Sequence, residues 1–87
     1  MNSNHIVERV LALAAQIAGP ERTPPQVGPD TQLAEGGLWL DSAELLEMIV
    51  ACEAEFAVEF DSEADLTTEA LGSIGSLAAV IERKLGR

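Results

Sequence analysis

Eighty-seven residues suffice for one domain, 1–87, but leave little chain to wall off a deep active site around a core of its own. Apolar residues make up 47% of the chain and aromatics only 3%, a composition rich in alanine and leucine that favours helices over sheets. Fifteen acids against five bases give a net charge of −10, and a field of that sign disfavours nucleic acid and anionic membranes while attracting basic proteins.

In chain order, the first predicted element is a helix from about Asn4 to Ala18. Ile6, Val10, Leu13 and Ile17 recur at helical spacing, Ser3 or Asn4 can cap the start, and Gly19-Pro20 supplies a stop. Val10 to Ala18 is apolar enough to resemble a signal peptide. Glu8 and Arg9 stand where a basic leader segment would, however, and no run approaches membrane-spanning length. Cys52 is the single cysteine, so no intrachain disulfide can form. A cytoplasmic location is the expectation. Met1 and the basic end at Arg87 are taken as natural termini, not the edges of an excised domain.

Glu21 to Leu40 reads as a long connection, since Pro24, Pro25 and Pro29 oppose a regular helix there. Val27, Leu33, Leu38, Trp39 and Leu40 are apolar, so the loop is expected to pack across the helices, with Trp39 as a core anchor in preference to a wall beside a bound group. No Lys or Arg lies between Arg22 and Arg83, whereas twelve of the fifteen acids lie between Asp30 and Glu69.

A second helix is predicted from Asp41-Ser42 to about Phe56, with Asp41 as N-cap and Glu44 completing a capping box. Leu45, Met48, Ile49, Cys52 and Phe56 make an ordinary core stripe, on which Cys52 reads as a small buried residue and not a reactive thiol. Ala43, Leu46 and Val50 form a second apolar ridge flanked by Glu44, Glu47 and Glu53. A ridge framed by carboxylates suits docking to a basic partner; burial on both sides of a small bundle is the competing reading. Asp61, Glu63 and Asp65 alternate as in a loop calcium site but lack the glycine and the distal acid such a site needs, and no metal site is assigned. Leu66 to Leu71 suggests one short helical turn capped by Thr67. Ser73 caps a last helix from Ile74 to about Leu85, with Arg83, Lys84 and Arg87 complementing its C-terminal dipole. The expected fold is all-α, a four-helix bundle with a long first loop and a short third helix.

Gly37-Leu38-Trp39-Leu40-Asp41-Ser42-Ala43-Glu44-Leu45-Leu46, opening an acidic helix after a long loop, resembles the attachment site of the acyl carrier protein family. Glu53 to Phe60 resembles the acidic end of that family's second helix and the turn after it. Asp65 to Glu69 and Ser73 to Leu77 resemble its third helix and the start of its fourth. The resemblance is firmest from Gly36 to Leu77. Three positions depart from the family pattern. Ala43 replaces a large apolar residue after the serine, Trp39 stands where many members have glycine, and Ala57 replaces a common glycine after the phenylalanine.

The resemblance implies a stand-alone carrier with a 4′-phosphopantetheine arm on Ser42, with Asp41 presenting the serine and binding the metal of the modifying enzyme. It implies a phosphopantetheinyl transferase as partner, together with acyl-loading, acyl-transferring or condensing enzymes bearing basic patches. It also implies a monomer with no catalytic residue of its own. His5, the single histidine, lies far from Ser42 in sequence, which disfavours a Ser-His catalytic pair. The Leu66 to Leu71 and Ser73-Ile74 stretches resemble specialised, pathway-dedicated carriers more than the housekeeping fatty-acid carrier, and that resemblance implies a specialised fatty-acid or polyketide-type pathway. An aminoacyl or peptidyl carrier and an unmodified acidic interaction module stand as alternatives.

Overall fold

The computed structural model describes residues 3–86, with side chains described from His5 onward. Among these residues the fold is all-helical, with three helices: α1 Ser3–Ala18, α2 Ser42–Phe56 and α3 Ile74–Lys84. The predicted cap at Ser3 or Asn4 and the cation at Arg87 lie outside the described side chains and residues.

α1 is the element on which both other helices pack. Its buried line runs Ile6, Val10, Ala14 and Ala18, with Leu13 and Ile17 half-buried beside it. The predicted face was therefore right at its start and rotated toward the alanines at its end. Small side chains at Ala14 and Ala18 let neighbouring backbone come close where Leu13 and Ile17 would hold it off. Gly19 ends the helix at φ +84°, its N–H donating to the carbonyl of Ala15 at 2.8 Å.

The long first loop is folded onto the helices. Leu33, Leu38 and Leu40 are buried and join Met48, Cys52, Ile74, Leu77 and Ile81 in one core. The loop closes on itself through Leu38 N–H to Gln32 C=O (2.9 Å) and Leu40 N–H to Leu33 C=O (3.0 Å). Gly37 is what allows this closure, because a Cβ there would stand 2.7 Å from the Gln32 backbone nitrogen. The loop also pairs with the start of α3 through an isolated bridge between Gln32 and Ser73. Leu33 N–H to Gly72 C=O (3.1 Å) and Ile74 N–H to Thr31 C=O (3.0 Å) flank it.

Two expectations for the loop fail. Trp39 is not an anchor: it is 57% exposed and sits in the left-handed region at φ +56°. Val27 is exposed as well. The described residues hold three helices and not the four of the expected bundle, because Leu66 to Leu71 forms the one turn expected of it, capped by Thr67, and no helix beyond that. Thr67 Oγ1 accepts from Ala70 N–H (3.1 Å) and Thr67 C=O from Leu71 N–H (3.0 Å), and the chain must then extend at Ser73 to cap α3. With Gly72 and Ser73 committed to that exit, too few residues remain to propagate a helix beyond its nucleus.

The predicted capping box of α2 forms, and the predicted Ser73 cap of α3 is itself completed into a box by Ser76. Asp41 and Glu44 cap α2, and Ser73 and Ser76 cap α3, each cap contributing about 1 kcal/mol. The alternating acids after α2 are turn-formers. Asp61 Oδ1 accepts from the N–H groups of Glu63 and Ala64, both at 2.8 Å, and Asp65 pairs with Lys84 of α3.

Candidate functional site

Ser42 is the first residue of α2 and is exposed. Asp41 precedes it in extended backbone (φ −82°, ψ 179°) and accepts the N–H of Glu44 on Oδ1 at 2.8 Å. Glu44 returns the bond, its Oε1 accepting the Asp41 N–H at 3.1 Å. The N–H groups of Ser42 and Ala43 lie ahead of the first intrahelical acceptor, where the helix dipole is positive. A hydroxyl in that position can take on a phosphate with its new charge favourably placed.

Beside the serine runs a groove of about 320 Å³ lined by Ser42, Leu45, Leu46, Ile49, Leu66 and Leu71. From α2 it takes positions i, i+3, i+4 and i+7, counting from the serine, and its other wall is the segment expected to be the third helix. Apart from Ser42, every lining side chain is aliphatic. Sequence reasoning did not find this groove. The helical spacing from Ser42 through Leu45 and Ile49 was visible, but nothing local says that Leu66 and Leu71 face it.

The second ridge of α2 is exposed. Leu46 is 64% and Val50 62% exposed, and Ala43 is exposed too, whereas Met48, Ile49, Cys52 and Phe56 are buried and Leu45 half-buried. The reading in which α2 is buried on both sides is therefore overturned. Ile17 and Ala51 floor a shallow hollow between Ala43, Leu46, Glu47 and Val50.

The three acids flanking the ridge differ in availability. Glu47 is exposed. Glu53 is half-buried and accepts the Phe60 N–H at 2.9 Å. Glu44 is engaged by Arg22, whose Nη1 donates to Oε1 at 2.7 Å and whose Nη2 donates to Oε2. Those bonds, and the one from Asp41 N–H, hold the Glu44 carboxyl down at about 2. Arg22 also donates from Nε to the Ala18 carbonyl (3.0 Å) and from Nη1 to the Trp39 carbonyl (3.2 Å). Arg22 was missed as a site residue. Its signal was its isolation, as the single base between Arg9 and Arg83.

A family model described as the phosphopantetheine attachment site matches residues 8–81. The chain belongs to this family. No curated protein and no solved structure matched the chain. Members of the family carry 4′-phosphopantetheine covalently. The exposed hydroxyl at a helix N-terminus, beside an aliphatic groove, is chemically fitted to such a group. Among the described residues no cluster of potential metal ligands occurs, and no helix is long and apolar enough to cross a membrane. His5 stands on α1, near the end opposite the one that Arg22 ties to α2. Cys52 lies fully buried, its thiol pushed up to about 12 by that burial.

Proposed function

We propose that the chain is an acyl carrier protein in which Ser42 accepts the arm and α2 presents the cargo to successive enzymes. The observation that carries this reading is the exposed Ser42 hydroxyl at the head of α2, opening onto the aliphatic groove of Leu45, Leu46, Ile49, Leu66 and Leu71. In the loading step the Ser42 oxygen forms a bond to the phosphorus bearing pantetheine in coenzyme A. The bond from that phosphorus to the bridging oxygen of 3′,5′-ADP breaks, 3′,5′-ADP leaves, and the serine proton passes to a base of the transferase. Bound in this way, the arm supplies a terminal thiol that holds cargo as a thioester. The chain's own part is to expose the hydroxyl, to order the turn around it with Asp41 and Glu44, and to favour the phosphate charge through the α2 dipole.

An apolar groove next to the attachment point favours acyl cargo, from a specialised fatty-acid or polyketide-type pathway, over aminoacyl cargo, whose charged amine gains nothing from aliphatic walls. Ala43, Leu46 and Val50 would supply apolar contact with partners, and Glu44, Glu47 and Glu53 the acidic frame, with Glu47 the most available of the three. Partners of this chemistry are a phosphopantetheinyl transferase and acyl-handling enzymes with basic patches. Action as a monomer in the cytoplasm, as carrier and not catalyst, is part of the same proposal.

The test is intact mass after incubation with coenzyme A, magnesium and a broad-specificity phosphopantetheinyl transferase. The expected result is a gain of one phosphopantetheine in the wild type and none in Ser42→Ala. A folded wild type that gains nothing with several transferases would overturn the reading in favour of an unmodified docking module. Thermal unfolding of the chain loaded with an octanoyl or an alanyl arm separates the cargo classes, because a chain resting in the groove stabilises only the folded state.

A further inference from the structure

Ser42 is bracketed by one side chain that lies twenty positions away in sequence. Arg22 grips the Trp39 carbonyl three residues before the serine, and both carboxylate oxygens of Glu44 two residues after it. Its Nε is fixed in turn to the Ala18 carbonyl, at the last residue of α1. A single planar guanidinium thus ties the end of α1, the loop and the first turn of α2 into one unit. The arrangement needs the fork of an arginine, since a lysine ammonium cannot donate in a fixed plane to three separate groups.

The bracket does more than cap a helix. Asp41 and Glu44 already complete the capping box between themselves, so a cap alone would not require Arg22. Trp39 lies at φ +56°, a backbone state that a tryptophan does not hold without external restraint. Its carbonyl is one of the groups that Arg22 holds. Between these two grips the buried Leu40 pins the chain and Ser42 projects to solvent. No other Lys or Arg lies between Arg9 and Arg83 to take over the role.

We infer that Arg22 is a positioning residue for the modification of Ser42, holding the turn from Trp39 to Glu44 in the one geometry in which the hydroxyl is presented for transfer. The inference rests on Ser42 being the acceptor. A nucleophile held in place loses rate, more than binding, when the restraint goes, because the fraction of encounters with reactive geometry falls. Arg22 does not touch the transferred group; it acts through Trp39 and Glu44.

The experiment measures kcat and KM for phosphopantetheine transfer onto wild type, Arg22→Gln, Arg22→Lys and Arg9→Gln. Alongside these, amide exchange is followed over Ser42–Leu45, together with thermal unfolding. Arg9 pairs with Glu55 near the far end of α2, roughly 20 Å along the helix from the serine, so Arg9→Gln controls for loss of an ion pair as such. The expected result for Arg22→Gln is a kcat lower by ~5- to 20-fold, KM changed by less than ~3-fold and faster exchange in the first turn of α2. Arg22→Lys, which keeps the charge and loses the fork, should recover only part of the rate and guards against a Gln variant that folds poorly. Arg9→Gln should load at the wild-type rate. Wild-type kcat and exchange in Arg22→Gln, or an equal fall in Arg9→Gln at matched stability, would overturn the inference while Ser42 still loads in the wild type. A wild type that takes no arm would instead overturn the reading of Ser42, and this inference with it.

Discussion

Leu46 is the residue whose loss should be felt by partners and not by the fold. It is a large aliphatic side chain left 64% exposed on the first turns of α2, beside Ser42 and next to Val50 at 62%. Fully burying a leucine is worth about 1.5–3 kcal/mol. With roughly two-thirds of the side chain still to be covered, docking against an apolar patch should gain about 1–2 kcal/mol from it. Leu46→Ala should therefore weaken productive encounter with the transferase, lowering kcat/KM by roughly 5- to 30-fold. The same substitution should shift Tm by no more than a few degrees, because few native contacts are lost. Met48→Ala, two positions on and fully buried, should behave in the opposite sense, costing about 2–5 kcal/mol of stability. The assays are transfer kinetics by intact mass and urea unfolding on the same samples. A Leu46→Ala protein as destabilised as Met48→Ala would refute the exposed ridge. Unchanged stability together with unchanged kinetics would refute its use in docking.

Ala57 sits at φ +54° at the exposed C-cap of α2. Relief of about 1–2 kcal/mol of left-handed strain against about 0.5–1 kcal/mol of added chain entropy predicts that Ala57→Gly stabilises by about 0.5–1 kcal/mol, or roughly 2–8 °C in Tm; a lowered Tm would show the strain to be absent. The Glu44 carboxyl, held down from an ordinary 4.5 to about 2 by Arg22 and the Asp41 N–H, contributes stability that is complete above pH about 4.5 and lost as pH falls through about 2. Glu44→Gln should accordingly flatten that part of the acid-unfolding curve, and an unaltered curve would sink the assignment. Cys52, buried and pushed up to about 12, should resist thiol reagents at pH 8 until the chain unfolds, so titration should count no fast thiol before loading and one after it. Fast labelling of the unloaded chain would mean that the core opens locally.

How much of this was visible in the sequence depended on the range of the forces involved. The capping residues Asp41, Ser73 and Thr67 and the core stripe of α2 are local, and spacing alone was enough to find them. Trp39 was misjudged because an aromatic in a leucine-rich loop is ordinarily an anchor. Its outward position follows from a backbone turn set by Gln32, Gly37 and Arg22, none of which touches it in sequence. The single turn from Leu66 to Leu71 was counted as a fourth helix because it has helical composition, while the demand that Gly72 and Ser73 pair with the first loop comes from Leu33 and Gln32, about forty positions away.

The two departures from glycine in the family pattern, Trp39 and Ala57, turn out to be the two non-glycine residues in the left-handed region among those described. Both positions carry a backbone requirement that glycine meets without strain, and here a tryptophan and an alanine meet it. The two are held differently. Ala57 lies at a helix C-cap, where its N–H still finds the Glu53 carbonyl, so the cost is borne by one turn. Trp39 is held by a charged hydrogen bond from Arg22 to its carbonyl, and the position it secures is an exposed indole three residues before the serine. Substituting each by glycine should separate them. Ala57→Gly changes only stability, whereas Trp39→Gly relieves the same strain and also removes the aromatic surface nearest Ser42 in sequence. If the indole contributes to partner contact, Trp39→Gly will load more slowly while unfolding at a higher temperature. If it is merely tolerated, the variant will be more stable and load as before.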